Sequence, residues 1–282
     1  MRSEKNETLR FLHIPKCGGS TFAFVLLRQY KGQRNFSFSG NFEADRARYS
    51  ELKKQDPNPF SLFRGHAPIE TAIEEANSGQ IITLFRDPIS RVKSFCQHVS
   101  EGKSPHLVER FPPFNFDLDA FLESGSEEIS NLQTKMMINS SSCMDKRKID
   151  TLGEVEAVEL ALRNLDERVA VFGLVEHYDE SLIHMAEQLG WRLPLYAKKN
   201  VKSERKRLTF EARHLDKIRE LNAIDLQLYA QVKKLFEERY QLTPKQEKQL
   251  KRQRFFNKWV MPAYESGRMK GLHIVRSLLG RK

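Results

Sequence analysis

The stretch LHIPKCGGSTF, residues 12–22, places a lysine and two adjacent glycines between a short apolar run and a helical pattern. Pro15 ends the run, the glycines permit a tight turn, and Ser20 or Thr21 is expected to cap the helix. A turn from a strand into a helix exposes several backbone N–H groups at the positive end of the helix dipole. The stretch therefore predicts a cradle for a phosphate or sulfate group. An ordinary strand–helix turn with a solvated lysine is the alternative.

The order of residues in this stretch differs from that of nucleotide-hydrolysing P-loops. Those loops place a lysine and a hydroxyl residue directly after the last glycine, and the hydroxyl binds magnesium. Here Lys16 precedes both glycines. A lysine at the loop entrance suits a leaving-group oxygen, where charge grows as a bond breaks. The sequence thus disfavours a nucleotide kinase or P-loop NTPase, and a non-catalytic binding protein is a further alternative.

A second anion site is predicted from LFRDPISRVKSF, residues 84–95. Arg86 follows a predicted strand, and its planar guanidinium suits a pair of phosphate oxygens. Asp87 and Pro88 are expected to begin a helix, because aspartate caps the first turn and the missing N–H of proline costs nothing there. Ser94 lies about two turns into this helix, within reach of the same anion. An arginine that pairs with a helix C-terminus is the alternative.

Both motifs follow short apolar runs that alternate with helical patterns. The predicted strands are 9–14, 60–64, 80–85 and 168–174. The predicted helices are 20–30, 88–99, 154–166, 178–189, 209–221 and 223–239, the last of them capped by Asn222, with loops and short helices over 101–150. This alternation favours an α/β fold of three layers, with a central parallel sheet flanked by helices. Ligands of such folds bind at the carboxyl ends of the strands, where both motifs lie.

The two motifs together resemble those of the sulfotransferase superfamily, in particular the branch that contains the heparan sulfate 2-O- and 6-O-sulfotransferases and their bacterial relatives. Four further stretches are similar to the same branch: RGHAP at 64–68, NLQTKMM at 131–137, VFGLVEHYDESLIHMAEQLGW at 171–191 and NAIDLQLYAQVKKLF at 222–236. The likeness spans residues 9 to about 240 in the family's order. It departs at Cys17, where the family usually has threonine.

The resemblance implies a P-loop-like fold and in-line transfer of a sulfuryl group from 3′-phosphoadenosine 5′-phosphosulfate (PAPS) to a hydroxyl group. Lys16 is then expected to donate to the bridging oxygen of the donor, and Arg86 and Ser94 to hold its 3′-phosphate. The loop residues expected to bind the 5′-phosphosulfate are Lys16, Cys17, Gly18, Gly19, Ser20 and Thr21. The reaction requires no metal, and the sequence shows no carboxylate cluster that suits one.

The acceptor hydroxyl needs a base, and a histidine with a pKa near neutrality is the usual one. His66 is the candidate, because it follows a predicted strand that ends in Arg64 and Gly65, and relatives with a Gly-His pair at this point use that histidine. His13 is expected inside the first strand, and His98 too far along its helix. The resemblance also places Gln133 in the cleft, without a chemical role.

The net charge of +10 is concentrated at the C-terminus. Residues 241–282 hold eleven Lys or Arg and two Glu, a net +9, which leaves about +1 for residues 1–240. A nucleic-acid-binding core normally carries the basic charge itself, so nucleic acid is not an expected partner. We predict a sulfotransferase domain over 1–240 and a basic helical extension over 241–282. Aromatic residues beside its cations, such as Phe255 and Trp259, suit peripheral contact with an anionic membrane, binding of an anionic polymer, or packing on the core.

The sequence predicts a cytoplasmic protein with free thiols. It has no apolar stretch near the roughly 20 residues of a membrane span, and residues 1–10 lack the apolar core of a secretory signal. The spacing of Cys17, Cys96 and Cys143 matches no metal site. A glycan or glycolipid acceptor is expected by family analogy alone. Its specificity is expected to lie in loops at 31–59 and 100–150.

Overall fold

The computed structural model describes residues 8–139, 147–197 and 207–265, and at its centre lies a sheet of five parallel strands. The strands are β1 (Leu9–Leu12), β2 (Asn35–Phe38), β3 (Leu62–Gly65), β4 (Gln80–Phe85) and β5 (Val169–Leu174). Their order across the sheet is β2-β3-β1-β4-β5. Because β1 lies between β3 and β4, the loops that follow these three strands meet at one edge of the sheet.

Helices connect the strands and account for most of the remaining described chain. They are α1 (Gly19–Gln29), α2 (Phe42–Gln55), α3 (Glu74–Asn77), α4 (Pro88–Ser100), α5 (Leu118–Leu122), α6 (Leu132–Ile138), α7 (Arg147–Leu152), α8 (Glu154–Arg168), α9 (Tyr178–Gln188), α10 (Ala212–Leu221), α11 (Ala223–Arg239), α12 (Pro244–Phe255) and α13 (Met261–Glu265). A π-helical turn, Phe256–Val260, joins the last two. This architecture confirms the predicted α/β class with a parallel sheet flanked by helices.

Both faces of the sheet are covered by apolar side chains. All four residues of β1 are buried, as expected for a central strand whose two faces both lie under helices. On β3 the neighbours Leu62 and Phe63 point to opposite faces. Leu62 joins the large cluster of aliphatic and aromatic residues around β1, β4 and β5, whereas Phe63 joins an aromatic cluster with Phe36 and Phe60. The sheet is therefore a rigid layer that fixes where each strand ends.

The expectation of loops over 31–59 is wrong, because this stretch contains both β2 and α2. β2 is a four-residue edge strand whose residues alternate, with only Phe36 and Phe38 buried, but it is too short to stand out as a strand in the sequence. Within α2 the only fully buried residue is Asp45, which accepts hydrogen bonds from the N–H of Ser39 at 2.8 Å. A helix without an apolar stripe gives no periodic signal, which explains why it was not predicted.

The helix starts next to the two motifs differ from one another. α4 begins as predicted, with Pro88 at its first position and the Asp87 carboxylate accepting from the N–H of Ser90 at 2.8 Å. α1 begins earlier than predicted, directly after Gly18, and no side chain caps it. The prediction that Ser20 or the residue after it caps α1 is therefore wrong, since both lie inside its first turn. The N–H groups of that turn are left for another acceptor.

Asn222 precedes α11 as predicted, but its side chain does not cap that helix. The amide group donates instead to the backbone oxygens of Ile129 at 2.7 Å and Ile218 at 3.0 Å. Its oxygen accepts from the N–H of Asn131 at 3.2 Å. Asn222 therefore ties α11 to the segment before α6, a long-range contact that the local sequence does not show.

The described part of the basic C-terminal stretch is helical and packs on the rest of the chain. Gln253 of α12 donates to the carbonyl of Pro194 at 2.8 Å, and Asn257 accepts from the N–H of Tyr196 at 2.9 Å. The division at residue 240 stays a prediction, and residues 266–282, like Cys143, lie outside the described residues. Across the described ranges, no helix has the length and apolar character that crossing a bilayer requires.

Candidate active site

The loop after β1 passes twice through left-handed backbone before α1 begins. Lys16 has φ +67° and Gly18 has φ +74°. For a residue with a Cβ, such as Lys16, this conformation costs about 1 kcal/mol, and backbone strain of this kind concentrates at functional sites. The N–H groups of Gly19, Ser20 and Thr21 belong to the first helical turn, where no carbonyl of the same helix accepts them. The loop therefore offers the donors and the helix dipole that an anion requires.

The two glycines let the loop approach two aromatic rings closely. A Cβ built on Gly18 lies 3.2 Å from Cε2 of Tyr178, in addition to the strain that φ +74° imposes on any other residue. A Cβ built on Gly19 lies only 1.8 Å from Nε2 of His13. No larger residue fits at Gly19 unless His13 moves. The two glycines are therefore required by the close packing of the loop on these rings as well as by the geometry of the turn.

The two predicted anion sites touch each other. Nη1 of Arg86, at the end of β4, donates to the backbone carbonyl of Lys16 at 3.0 Å. This contact replaces the alternative in which Arg86 pairs with a helix C-terminus. Nε of Arg86 is buried and has no hydrogen-bond partner among the described residues. A buried guanidinium nitrogen without an acceptor fits a site built for an anionic ligand.

Gln133, at the start of α6, fixes the backbone of Arg86. Its Oε1 accepts from the N–H of Arg86 at 3.0 Å, and its Nε2 donates to the carbonyl of Arg86 at 2.8 Å. The N–H of Gln133 in turn donates to the buried carboxylate of Asp225 at 3.0 Å. Gln133 is thus a positioning residue for the arginine. The two residues lie 47 positions apart, so no local sequence pattern shows this role.

The environment of Lys16 favours proton donation. Burial lowers the pKa of Lys16, and the positive charges of Arg86 and Lys103 act in the same direction, while Glu101 opposes them. An ammonium group with a lowered pKa is a stronger hydrogen-bond and proton donor to an oxygen that gains negative charge. The lysine therefore has the properties required for stabilising a leaving group.

His66 follows β3 directly, as predicted, and its tautomer is fixed by a backbone contact. Its Nδ1 lies 2.9 Å from the carbonyl oxygen of His13. Because a carbonyl only accepts, Nδ1 carries the proton and Nε2 is left as an acceptor. Burial lowers the pKa of His66, although the hydrogen bond to His13 acts in the opposite direction. His66 is therefore neutral at physiological pH and equipped to accept a proton, and its role as the base stays a prediction.

His13 lies where the sequence did not place it. β1 ends at Leu12, so His13 is not inside the strand but follows it, and its ring stacks on His66 with centroids 4.4 Å apart. Burial lowers the pKa of His98 to about 4, and the positive charges of Lys16 and Lys103 act in the same direction. The exclusion of His98 as the base stays a prediction. Ser94 is one turn before His98 on α4 and shares that face of the helix.

Cys17, the departure from the family pattern, is fully buried. Its Sγ lies 3.7 Å from Oε1 of Gln133, a weak contact compared with the hydroxyl bond that threonine offers. Burial raises the pKa of Cys17 to about 12, so it remains a protonated thiol.

Within the described ranges, no group of three His, Cys, Asp or Glu residues is arranged to hold a metal ion.

Comparison with known proteins identifies the family of this chain. A sequence model of the galactose-3-O-sulfotransferase family matches residues 69–253, about two thirds of the chain. The chain belongs to this family. The galactose-3-O-sulfotransferase match includes Arg86, Ser94 and Gln133, whereas the loop of Lys16 and the position of His66 lie before it. Membership confirms the predicted sulfotransferase superfamily.

The chain is also similar to vertebrate enzymes of related name. It is 25% identical to zebrafish heparan-sulfate 6-O-sulfotransferase 2 over 299 residues, which covers 88% of this chain and 62% of that protein. It is 23% identical to human heparan-sulfate 6-O-sulfotransferase 2, covering 86% of this chain and 47% of that protein. A crystal structure of the mouse sulfotransferase SULT7A1 complexed with PAP aligns at 16% identity and a TM-score of 0.38, covering 78% of this chain and 65% of that one. The chain therefore spans about half to two thirds of the curated relatives named here.

Proposed function

We propose that the protein transfers a sulfuryl group from PAPS to a hydroxyl group of a carbohydrate or glycoconjugate. The contact between the two anion-binding loops carries this proposal: Arg86 donates to the carbonyl of Lys16 and retains a buried Nε that has no partner in the described ranges. A ligand with phosphate groups at both ends explains why two such loops end on neighbouring strands. Membership of the galactose-3-O-sulfotransferase family supports PAPS over other nucleotides with two phosphate groups.

The residues of the site have distinct tasks in this reaction. The first-turn N–H groups of α1 hold the 5′-phosphosulfate, and Arg86 and Ser94 hold the 3′-phosphate. Nε2 of His66 takes the proton of the acceptor hydroxyl while the acceptor oxygen bonds to sulfur. Lys16 donates to the phosphate oxygen that is released when its bond to sulfur breaks. The proton therefore ends on His66 and the negative charge ends beside Lys16.

We infer that the protein belongs to the branch that contains the heparan sulfate 2-O- and 6-O-sulfotransferases and their bacterial relatives. The similarity to heparan-sulfate 6-O-sulfotransferases over more than four fifths of this chain supports that branch. The names of the family and of these relatives all describe transfer to sugars, which supports a glycan or glycolipid acceptor over a phenol. A nucleotide kinase remains disfavoured because Lys16 precedes the glycines.

A transfer screen tests the proposed function. Full-length protein is incubated with PAPS carrying a labelled sulfuryl group and panels of glycans, glycolipids and phenols, with ATP in place of PAPS in a parallel series. We expect label in at least one carbohydrate acceptor, and label transfer that is slower by about 10²-fold with the Lys16→Ala variant. The Lys31→Ala variant, which alters an exposed lysine just after α1, is the matched control and should retain activity. Phosphate transfer from ATP without any sulfuryl transfer contradicts the proposal.

We also propose that the outer face of α12 and the π-helical turn contacts an anionic membrane surface. Phe255 and Trp259 are 58% and 62% exposed on the side opposite the buried residues of this helix. The exposed cations around them are Lys248, Lys251, Arg252 and Lys258. Exposed aromatics between cations suit the interface of an anionic bilayer, whereas a polyanion needs only the charges. The predicted cytoplasmic location stays a prediction.

Vesicle sedimentation tests this contact without removing the inner face of α12. The variant Phe255→Ser with Trp259→Ser is compared with Phe114→Ser, which changes an aromatic elsewhere that is even more exposed, at 90%. We expect the double change, and not the control, to reduce binding to phosphatidylserine vesicles about tenfold or more. Each aromatic side chain that is buried in the bilayer contributes about 1.5–3 kcal/mol of transfer free energy. Equal binding by all forms, or binding to heparin but not to vesicles, contradicts the contact.

A further inference from the structure

His13 contacts both the donor loop and the candidate base. Its ring stacks on His66 with centroids 4.4 Å apart and on Phe11 with centroids 5.2 Å apart. Its backbone carbonyl accepts the hydrogen bond from Nδ1 of His66. Its Nε2 occupies the space where a Cβ on Gly19 would lie, at 1.8 Å from that position. The imidazole of His13 is therefore held between the start of α1 and His66. The proposed reaction assigns no role to it.

We propose that His13 is a positioning residue, a spacer that sets the distance between the donor loop at Gly19 and the base His66. This inference rests on the proposed sulfuryl transfer. In-line transfer requires the acceptor oxygen and the leaving oxygen to be aligned on opposite sides of the sulfur. A misplacement of about 1 Å costs about 10²-fold in rate. A flat ring that touches both the loop and the base fixes the distance between them better than an empty gap between the two would.

The electrostatics of His13 fit a spacer rather than a proton carrier. Burial lowers the pKa of His13 well below its ordinary value; a proton on His66 would act in the same direction, as do the positive charges of Arg64 and Lys16. Arg64 lies on β3 and Lys16 in the loop after β1, while the neutral ring of His66 stacks on His13. The ring is therefore uncharged and stacks on the base without repelling Lys16. Its shape, not its charge, is what the site uses.

A double-mutant cycle tests the spacer in the full-length protein. The variants are His13→Ala, His13→Gln, Gly19→Ala and the pair His13→Ala with Gly19→Ala. Each is measured for the kcat of sulfuryl transfer, for the Kd of adenosine 3′,5′-bisphosphate by calorimetry and for Tm. His106→Ala, an exposed histidine paired with Glu128, is the matched control.

We expect His13→Ala to lower kcat about 10- to 100-fold while the Kd of the nucleotide changes less than about threefold. His13→Gln, which keeps a planar group of similar reach, should restore kcat to within about fivefold of the wild type. Gly19→Ala should lower kcat in the wild-type background, because its Cβ displaces the ring. The same change should cost about tenfold less when His13 is already alanine, since the space is then free.

Three results overturn the spacer. An unchanged kcat in His13→Ala removes the role, and a His13→Gln variant as inactive as His13→Ala makes His13 a chemical group instead. Strictly additive effects of His13→Ala and Gly19→Ala show that the contact does not matter. If His13→Ala does not fold, the Gly19→Ala variant tests the spacer instead. A Gly19→Ala protein that has an unchanged kcat and only a weaker affinity for the nucleotide contradicts displacement of the base by the His13 ring. A wild-type protein without sulfuryl transfer overturns the proposed function rather than the spacer.

Discussion

Beside β3 the chain places two neutral histidines in stacking contact, His66 after β3 and His13 after β1, whereas at the end of β4 it places an arginine with a buried nitrogen that has no partner among the described residues. The ends of β3 and β4 flank the loop after β1, and both lie at one edge of a single sheet. Burial lowers the pKa of His66, so the β3 side stays uncharged, while Lys16 and Arg86 make the β4 side cationic. The edge is therefore divided into a side that accepts a proton and a side that binds anions.

This division explains why the first motif follows β1. As the strand between β3 and β4, it delivers Lys16 towards Arg86 and His13 towards His66 within four residues of chain. The positive charge of Lys16 discourages protonation of His13 and at the same time attracts a phosphate. The two sides thus depend on each other electrostatically while having separate contacts with a ligand. Substitutions on each side should have different kinetic signatures.

The largest effect is expected from His66→Ala. The variant should lose about 10²-fold or more of kcat, because the acceptor hydroxyl loses its proton acceptor. Its affinity for adenosine 3′,5′-bisphosphate should stay unchanged, because the β4 side is intact. Steady-state transfer kinetics and calorimetry measure the two quantities, with His106→Ala as the control. Unchanged turnover in His66→Ala removes this histidine from the role of base.

Lys16→Ala should also lose about 10²-fold of kcat, since one donor to a developing oxyanion is typically worth that much. The product nucleotide should still bind, because backbone N–H groups and Arg86 hold its phosphates. The Lys31→Ala variant serves as the control. A Lys16→Ala protein that loses nucleotide binding and turnover in equal measure indicates a binding lysine rather than one that acts on the leaving group.

Arg86→Ala should act mainly on affinity. Loss of charge-assisted hydrogen bonds to a phosphate is expected to raise the Kd of adenosine 3′,5′-bisphosphate about 10- to 100-fold. The Kd of adenosine 5′-phosphate, which lacks the 3′-phosphate, should change far less. Arg110→Ala, an exposed arginine bonded to the carbonyl of Ser124, is the control. Equal losses for both nucleotides place Arg86 away from the 3′-phosphate.

The smallest expected effect is that of pH on kcat/KM, which tests the protonation state of His66 on the β3 side. His66 accepts a proton only when neutral, and burial lowers its pKa below the ordinary histidine value of 6.5. A lowered pKa keeps the neutral form as the medium is acidified, so kcat/KM should stay level through pH 6.5 and fall only at lower pH. An acidic limb centred at or above pH 6.5 contradicts a buried neutral base.

The sequence was sufficient for the parts of the molecule that local chemistry specifies. The strand before the glycine loop, the Asp87 cap and the position of His66 after β3 all follow from neighbouring residues. The helix α2 was missed because it has few apolar residues, such as Tyr49 and Leu52, among many polar ones. The strand β2 was missed because a run of four residues is too short to stand out, although it alternates. The roles of residues that act across the fold could not be predicted.

Gln133 and His13 illustrate the second kind. Gln133 holds the backbone of Arg86 from 47 residues away, and no spacing rule connects the two. The stacking of His13 on His66 depends on β3 pairing with β1.

The central claim is that one donor molecule is held by both loops at the edge beside β1. A crystal structure of the full-length protein soaked with adenosine 3′,5′-bisphosphate tests it most directly. We expect the 5′-phosphate to accept hydrogen bonds from the N–H groups of Gly19, Ser20 and Thr21, and the 3′-phosphate to contact Arg86 and Ser94. A nucleotide bound elsewhere, or absent from both loops at saturating concentration, contradicts the account.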